Sequence, residues 1–282
     1  MRLGEIEVHP LKAGAFRLDG GAMFGVIPKV LWEKQMAPDE RNRIGMAMNV
    51  LLVKASGKNI LVDTGAGDKE DAKFRDIYGL GPSTLNEELM KHGLVPDEID
   101  VVINTHLHFD HAGGNTVRDS GGRLLPAFPN ARYLVQRAEF DDAMAANERN
   151  KASYFPGNYA PLYDDGRMEL VDGETEIAPG VAVEPLPGHT RGLQGLMIRS
   201  HGDTGLYLAD CVPTSHHIPL PWIMAYDLYP TETLATKKKI LPKAAREGWL
   251  LFFEHDPEVL AATIEETGKG RFALRPAPKE TI

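Results

Sequence analysis

A chain of 282 residues that is 43% apolar and 25% charged has the composition of a folded globular protein with material for a large core. Its net charge of −9, with no basic stripe, speaks against nucleic acid as a partner. No stretch approaches the ~20 consecutive apolar residues of a membrane span.

Length alone allows one or two domains. Met1 to Phe16 does not read as a secretory signal, so a soluble, cytoplasmic protein is expected. Gly4 to Leu18 reads as an edge strand interrupted at Pro10, and Asp19-Gly20-Gly21 as a turn. Ala22 to Pro28 and Val30-Leu31-Trp32 are apolar but broken by glycine and proline, so no regular element is expected there. Such a loop can line a pocket, with Met23 and Phe24 as candidate substrate contacts, or pack on the core. Met48 to Lys54 and Asn59 to Val62 alternate as two strands of a hairpin turning at Ser56-Gly57. Asp63 follows directly. Thr84 to Gly93 has a helical pattern, with capping-box spacing at Thr84 and Glu87.

Val101-Val102-Ile103 reads as a short buried strand, and it leads into the most informative stretch of the chain, Asn104 to Asn115, NTHLHFDHAGGN. His106, His108, Asp110 and His111 place four potential metal ligands within six residues. Imidazole suits zinc and iron, and the carboxylate adds a harder oxygen donor. His106 and His108, two apart, can point the same way, while Asp110 and His111 turn toward a neighbouring position. Four local ligands cannot close two metal sites, so partners are expected downstream.

Arg132 to Val135 is a further strand and Arg137 to Asn147 a helix. Asn150 to Arg167 carries Tyr154, Phe155, Tyr159 and Tyr163 among prolines and glycines. It suits a substrate lid, an oligomer contact or simple packing, with Tyr159 the candidate substrate contact. Met168 to Val171, Thr175 to Ile177 and Val181 to Pro185 read as short strands, and Gly195 to Arg199 with Gly205 to Ala209 as a hairpin. His216-His217 follow shortly after Asp210, with His216 the candidate for the pocket; His9, His92 and His201 read as surface residues. Cys211 is the lone cysteine, so no intrachain disulfide forms, and burial is its expected role. A helix is expected from Pro230-Thr231 to Arg246, with Lys237-Lys238-Lys239 on a solvated face. Trp249 to Phe253 reads as a buried strand. Asp256-Pro257 is expected to cap a last helix to about Thr267, followed by a surface tail. Strands in runs broken by single helices imply an α/β protein with helix-covered sheets.

The HLHFDH motif resembles the signature of the metallo-β-lactamase-fold hydrolases. Further matches come in the family's order. Val62-Asp63-Thr64-Gly65 is similar to its early supporting turn, and Pro187-Gly188-His189-Thr190 to its third-histidine loop. Leu208-Ala209-Asp210 is similar to its bridging-aspartate strand end, and Glu254-His255-Asp256 to its last histidine. The resemblance spans nearly the whole chain and implies one domain, 1–282. Its fold would be a four-layer αβ/βα sandwich of two face-to-face mixed sheets with the site at one sheet edge. It implies two divalent metal ions, zinc first, with iron, cobalt or manganese as alternatives. His106, His108 and His189 would hold one metal, Asp110, His111 and His255 the other, and Asp210 would bridge them. A shared hydroxide would attack a carbonyl carbon, and Asp110 would orient it and carry a proton to the leaving alkoxide.

Within the family, the loop around Met23 and Phe24, Pro213 to His217, and Tyr226 to Pro230 resemble the quorum-quenching N-acyl-homoserine lactonases. The implied partner is a small ester or lactone, and a homodimer is compatible. One departure stands out. Several lactonases carry a substrate-contacting tyrosine three residues after the bridging aspartate, where this chain has Pro213; Tyr226, Tyr159 or His216 are the candidates to replace it. That departure keeps relatives acting on phosphotriesters, aryl esters or thiolesters as alternatives. His108 argues against the diiron oxygen-reducing branch, which carries glutamate there.

Overall fold

The computed structural model describes residues 1–276. Strands β1 (Arg2–Leu3), β2 (Ile6–Asp19), β3 (Arg43–Ala55), β4 (Lys58–Val62) and β5 (Val101–Ile103) open the first sheet. A separate ribbon, β6 (Thr116–Arg118) and β7 (Leu124–Pro126), follows, and then β8 (Arg132–Gln136) and β9 (Met168–Val171) complete the sheet in the order β1-β2-β3-β4-β5-β8-β9. The second sheet takes β10 (Thr175–Ala178), β11 (Val181–Pro185), β12 (Gln194–Ser200), β13 (Asp203–Tyr207), β14 (Leu250–Phe252), β15 (Ala261–Gly268) and β16 (Arg271–Pro276) in sequence order. Both sheets are mixed. β4, β5, β8 and β9 pair in parallel, as do β13 and β14, while the hairpin-linked strands pair antiparallel.

The run NVLLV in β3 explains the layering. Leu51 and Val53 point between the sheets, where they meet Val183, Leu196, Ile198 and Phe252. Val50 and Leu52 point the other way, onto a second core shared with Leu85, Leu89 and Phe140. A strand buried on both faces reads as a near-continuous apolar run because alternate residues serve different cores. Leu85 and Leu89 come from helix α4 (Leu85–Lys91) and Phe140 from α6 (Arg137–Met144). Between α4 and α6 lies α5 (Phe109–Ala112), and before α4 come α1 (Gly20–Phe24), α2 (Lys29–Trp32) and α3 (Ala72–Tyr78). Two later helices are α7 (Ala160–Asp164) and the long α8 (Pro230–Glu247), whose Ile240, Leu241 and Ala244 join the second-sheet side. The result is the four-layer sandwich that the resemblance implied. No helix among the described residues is long and apolar enough to cross a membrane.

The structure corrects several expectations. Among the described residues no helix follows Asp256-Pro257. Asp256 instead accepts hydrogen bonds from the amides of Ser215, Glu258 and Val259, forming a turn. Residues 261–268 then pair with β14 and β16, and Ala262 and Ile264 are buried at strand spacing. The tail expected on the surface is therefore an edge strand as far as Pro276, and residues 277–282 lie outside the described part. The loop after Asp19 holds two short helices, because the Asp19 carboxylate caps the Ala22 amide at 2.8 Å. Thr84 stands at the N-cap of α4 without a capping box, since its hydroxyl donates to the Lys12 carbonyl instead. Lys237 is buried, whereas Lys238 and Lys239 are exposed.

Candidate metal centre

His106 and His108 follow β5, Asp110 and His111 stand on α5 directly after them, and His189, Asp210 and His255 lie in the segments after β11, β13 and β14. β4 and β5 are paired in parallel and end side by side at Val62 and Ile103, so Asp63 and the HLHFDH loop leave the first sheet together. β13 and β14 do the same for the second sheet at Tyr207 and Phe252, which brings Asp210 beside His255. The topology thus converts four distant sequence positions into one edge.

Local chemistry holds the loop in shape. Asp63 adopts a left-handed backbone conformation, which aspartate tolerates, and turns its carboxylate onto the loop. That carboxylate accepts hydrogen bonds from the Thr105 amide at 2.8 Å and the Thr105 hydroxyl at 2.6 Å, and from His111 Nδ1 at 3.1 Å. The amide and hydroxyl of Thr64 both donate to the His111 carbonyl. At Gly113 and Gly114 a Cβ would lie 2.2 Å from the carbonyl oxygens of Ala66 and Thr64, so only glycine lets the two turns meet. Buried Glu139 on α6 accepts from the Leu107 amide at 3.0 Å and the Tyr154 hydroxyl at 2.9 Å, and the Tyr154 ring packs on that of His108.

Beside a third cluster of Asp63, His111 and Glu254, the candidate donor atoms gather in two groups beneath a cleft. His106, His108, His189 and Asp210 form one, and Asp110, His111 and His255 the other, with the atoms of each group within 4.8 Å of one another. In the first, His108 Nδ1 is 3.1 Å from both His106 Nε2 and His189 Nε2, and Asp210 Oδ2 is 3.1 Å from His189 Nε2 and 3.8 Å from His106 Nε2. In the second, His111 Nε2 and His255 Nε2 are 3.1 Å apart, and Asp110 Oδ2 lies 3.8 and 3.7 Å from them. The other oxygen of Asp210 reaches this group too, 3.0 Å from His255 Nε2 and 3.7 Å from His111 Nε2.

These residues fit metal ions. Donors bound tetrahedrally at ~2.1 Å lie about 3.4 Å apart along each edge, which is the spacing found in both groups. The tautomers agree as well. His255 Nδ1 donates to the Ala47 carbonyl at 2.8 Å, and His189 Nδ1 to Asp227 at 3.0 Å. His111 Nδ1 faces Asp63 and, at 3.0 Å, Glu254. In the neutral imidazoles each Nε2 then carries a lone pair aimed at another lone pair, an arrangement that a cation between them makes favourable.

Electrostatics point the same way. Burial and the neighbouring imidazoles push His106 and His108 well below the usual histidine range, so both offer lone pairs. Burial alone would lower His255 as well, but Asp210 and Glu254 raise it to about 9. Burial would likewise lower His111, yet Glu254, Asp110 and Asp210 hold it well above the usual range. Burial and the Asp63 charge in turn raise Glu254 to about 8. His111 and His255 thus favour carrying positive charge beside Asp110 and Asp210, charge that bound divalent ions would supply in place of protons.

A cleft opens over the centre, lined by His108, Asp110, His189, Asp210 and His255 at its base. Met23 and Tyr226, expected from the sequence, line its walls. Phe24, Tyr159 and His216 do not. One residue past Met23 on α1, Phe24 points away from the cleft and stacks on Trp32 and, at 4.8 Å and 3°, on His217. Tyr159 is pulled into the core by donating to the Ala143 carbonyl at 3.1 Å. A tight turn at Ser215–His217 buries His217 and leaves His216 in a separate depression beside Met36 and Pro257. Burial raises the Cys211 thiol to about 12, which leaves it inert. Sequence reasoning missed the wall residues Leu18, Tyr78, Met224 and Leu228, and the polar rim of Arg149, Asn150 and Ser153. It also missed the supporting carboxylates Asp227 and Glu254, although both sit inside motifs already singled out.

Known proteins share this arrangement. Residues 45–255 match the sequence profile of the Metallo-beta-lactamase superfamily. The N-acyl homoserine lactonase AiiA of Bacillus thuringiensis subsp. kurstaki is 29% identical over 214 residues, which cover 71% of this chain and 77% of that protein. A probable metal-dependent hydrolase from Staphylococcus aureus superposes with a TM-score of 0.89 at 32% identity, covering 99% of this chain and 100% of the other. AidC, a dizinc quorum-quenching lactonase solved with a product, shares the fold with a TM-score of 0.81 at 24% identity, covering 99% and 96% of the two chains. The profile takes in all seven clustered candidate ligands, and so this metal-dependent hydrolase belongs to the metallo-beta-lactamase superfamily.

Proposed function

We propose that this protein opens the lactone ring of N-acyl-homoserine lactones at a dinuclear metal centre. The observation that carries the reading is a pair of closely gathered donor groups sharing Asp210 beneath a largely apolar cleft. The likeness to the Bacillus lactonase supports the choice of substrate. Bound divalent ions supply a nucleophile at neutral pH and polarise the carbonyl.

The chain's own residues do the rest. Leu18, Met23, Phe109, Met224 and Leu228 form the apolar wall against which an acyl chain packs, and they exclude water from it. Tyr226 takes the place of the tyrosine missing at Pro213, because of the three candidates it alone lines the cleft. Burial, with Tyr78, Asp19 and Asp110 nearby, raises its phenol well above the usual range, so it remains a hydrogen-bond donor to the carbonyl oxygen. Asp110 both faces the His111–His255 pair and lines the cleft. It takes the proton released as water adds to the carbonyl carbon, and passes it to the departing alkoxide oxygen. Asp227 and Thr233 hold His189 in its ligating tautomer.

A panel of lactones followed by pH-stat tests the reading. Acid release from N-acyl-homoserine lactones is expected. No turnover of any lactone, with rapid turnover of aryl phosphotriesters, would overturn it. His111→Ala is expected to bind one metal equivalent fewer and to lose most of the hydrolysis. It also removes the imidazole facing Glu254 and Asp63, of which Asp63 keeps its hydrogen bonds from Thr105, and a lower melting temperature is expected. Metal analysis with thermal denaturation checks both effects.

A further inference from the structure

The long helix α8 turns one stripe inward, formed by Thr233, Thr236, Lys237, Ile240, Leu241 and Ala244. Lys237 is the anomaly in that stripe, a lysine with 1% of its surface exposed. No carboxylate lies within ion-pair distance of it among the described residues. Its Nζ donates instead to three main-chain carbonyls, those of His217 at 2.7 Å, Pro219 at 2.9 Å and Trp222 at 2.9 Å. An ammonium has three N–H donors, so this set satisfies it completely. Packing alone would be met by leucine or methionine, without the desolvation of a charge.

Two of the carbonyls, those of Pro219 and Trp222, belong to a segment without regular structure, and that of His217 closes the turn just before it. Residues 218–228 form no helix or strand, and Pro219 and Pro221 lack an N–H. The same segment carries Met224, Tyr226 and Leu228 into the cleft and delivers Asp227 to His189. Beyond Trp222 its ties are Ala225 N to the Ala22 carbonyl at 2.8 Å, Arg149 Nη2 to the Ala225 carbonyl at 2.7 Å, Leu228 N to the His189 carbonyl at 2.9 Å, and the Asp227 carboxylate to His189 and Thr233.

We propose that Lys237 is a positioning residue for the substrate cleft: its ammonium gathers the carbonyls of residues 217, 219 and 222 and so fixes the wall formed by Met224, Tyr226 and Leu228. The inference rests on that cleft being where substrate binds. It does not depend on the substrate being a lactone.

Lys237→Met tests it, because methionine keeps much of the apolar stem and removes the three donors. Amide hydrogen exchange in the metal-loaded protein is expected to speed up about tenfold or more at Trp222, Ala225 and Asp227, and to stay unchanged in β13 and β14. Metal content is expected to stay at the wild-type value. For whichever ester the wild type hydrolyses, KM is expected to rise about tenfold with kcat within about threefold, the pattern of lost binding rather than lost chemistry. A lower melting temperature with unchanged KM and unchanged exchange in 218–228 would overturn the proposal and leave Lys237 a purely structural residue. Should Lys237→Met fail to fold, Lys237→Gln, which keeps two donors, is expected to show the same changes at smaller size; wild-type KM and exchange in that variant would equally overturn it. A wild-type protein inactive on every lactone would refute the lactonase reading, and the exchange comparison would still decide the role of Lys237.

Discussion

Asp210→Ala is expected to reduce hydrolysis on the order of 10⁴-fold and to leave at most one weakly held metal, because the nucleophile at neutral pH depends on both ions. Among the described residues Asp210 alone has an oxygen toward each group, Oδ2 at 3.1 Å from His189 Nε2 and Oδ1 at 3.0 Å from His255 Nε2. Its loss opens one corner of each tetrahedron at once, whereas removal of any single histidine opens one. Against the effect of burial, His255, His189 and His111 hold the Asp210 carboxyl well below the usual carboxylate range, so the charge is present throughout the neutral range. Metal content by mass spectrometry, measured beside kcat/KM, checks both parts. A variant with two tightly bound metals and near-wild-type rates would rule out the bridge.

Asp110→Asn is expected to lower kcat by about 10²–10⁴-fold, the range for loss of a positioned proton carrier, with a much smaller change in KM. The amide is isosteric and keeps an oxygen facing His111 and His255, which in the native chain lies 3.8 and 3.7 Å from their Nε2 atoms. What it loses is the negative charge and the capacity to accept and return a proton. With metal supplied in excess, two equivalents are expected to remain bound. Activity that falls only in proportion to lost metal would make Asp110 a ligand and nothing more.

The sequence showed the strand-then-loop unit at 101–111 plainly, because an apolar run, four donors and two glycines are all local. His189, Asp210 and His255 were legible only through resemblance. Their convergence depends on β4–β5 and β13–β14 pairing in parallel across long connections, which no local pattern encodes. The region after Asp256 misled for a physical reason. Ala261-Ala262 and Glu265-Glu266 suit a helix, but pairing with Leu251 and Phe252 on one side and β16 on the other overrides that propensity. Lys237 was invisible for the opposite reason. Its partners are backbone carbonyls, which leave no trace in residue identity, and two exposed lysines follow it. Phe24 was placed in the cleft because its loop is apolar and irregular and resembles that of the lactonases, and Tyr159 because it is an aromatic in an irregular stretch. The direction of a side chain in a short helix is set by one residue of rotation, and capping by Asp19 decided it in favour of Met23.

Anomalous diffraction from crystals grown with zinc tests the central claim most directly. Two peaks are expected, one among His106, His108 and His189 and one among Asp110, His111 and His255. They should lie about 3.5–4 Å apart with an Asp210 oxygen against each. A single peak, or metal bound away from Asp210, would contradict it.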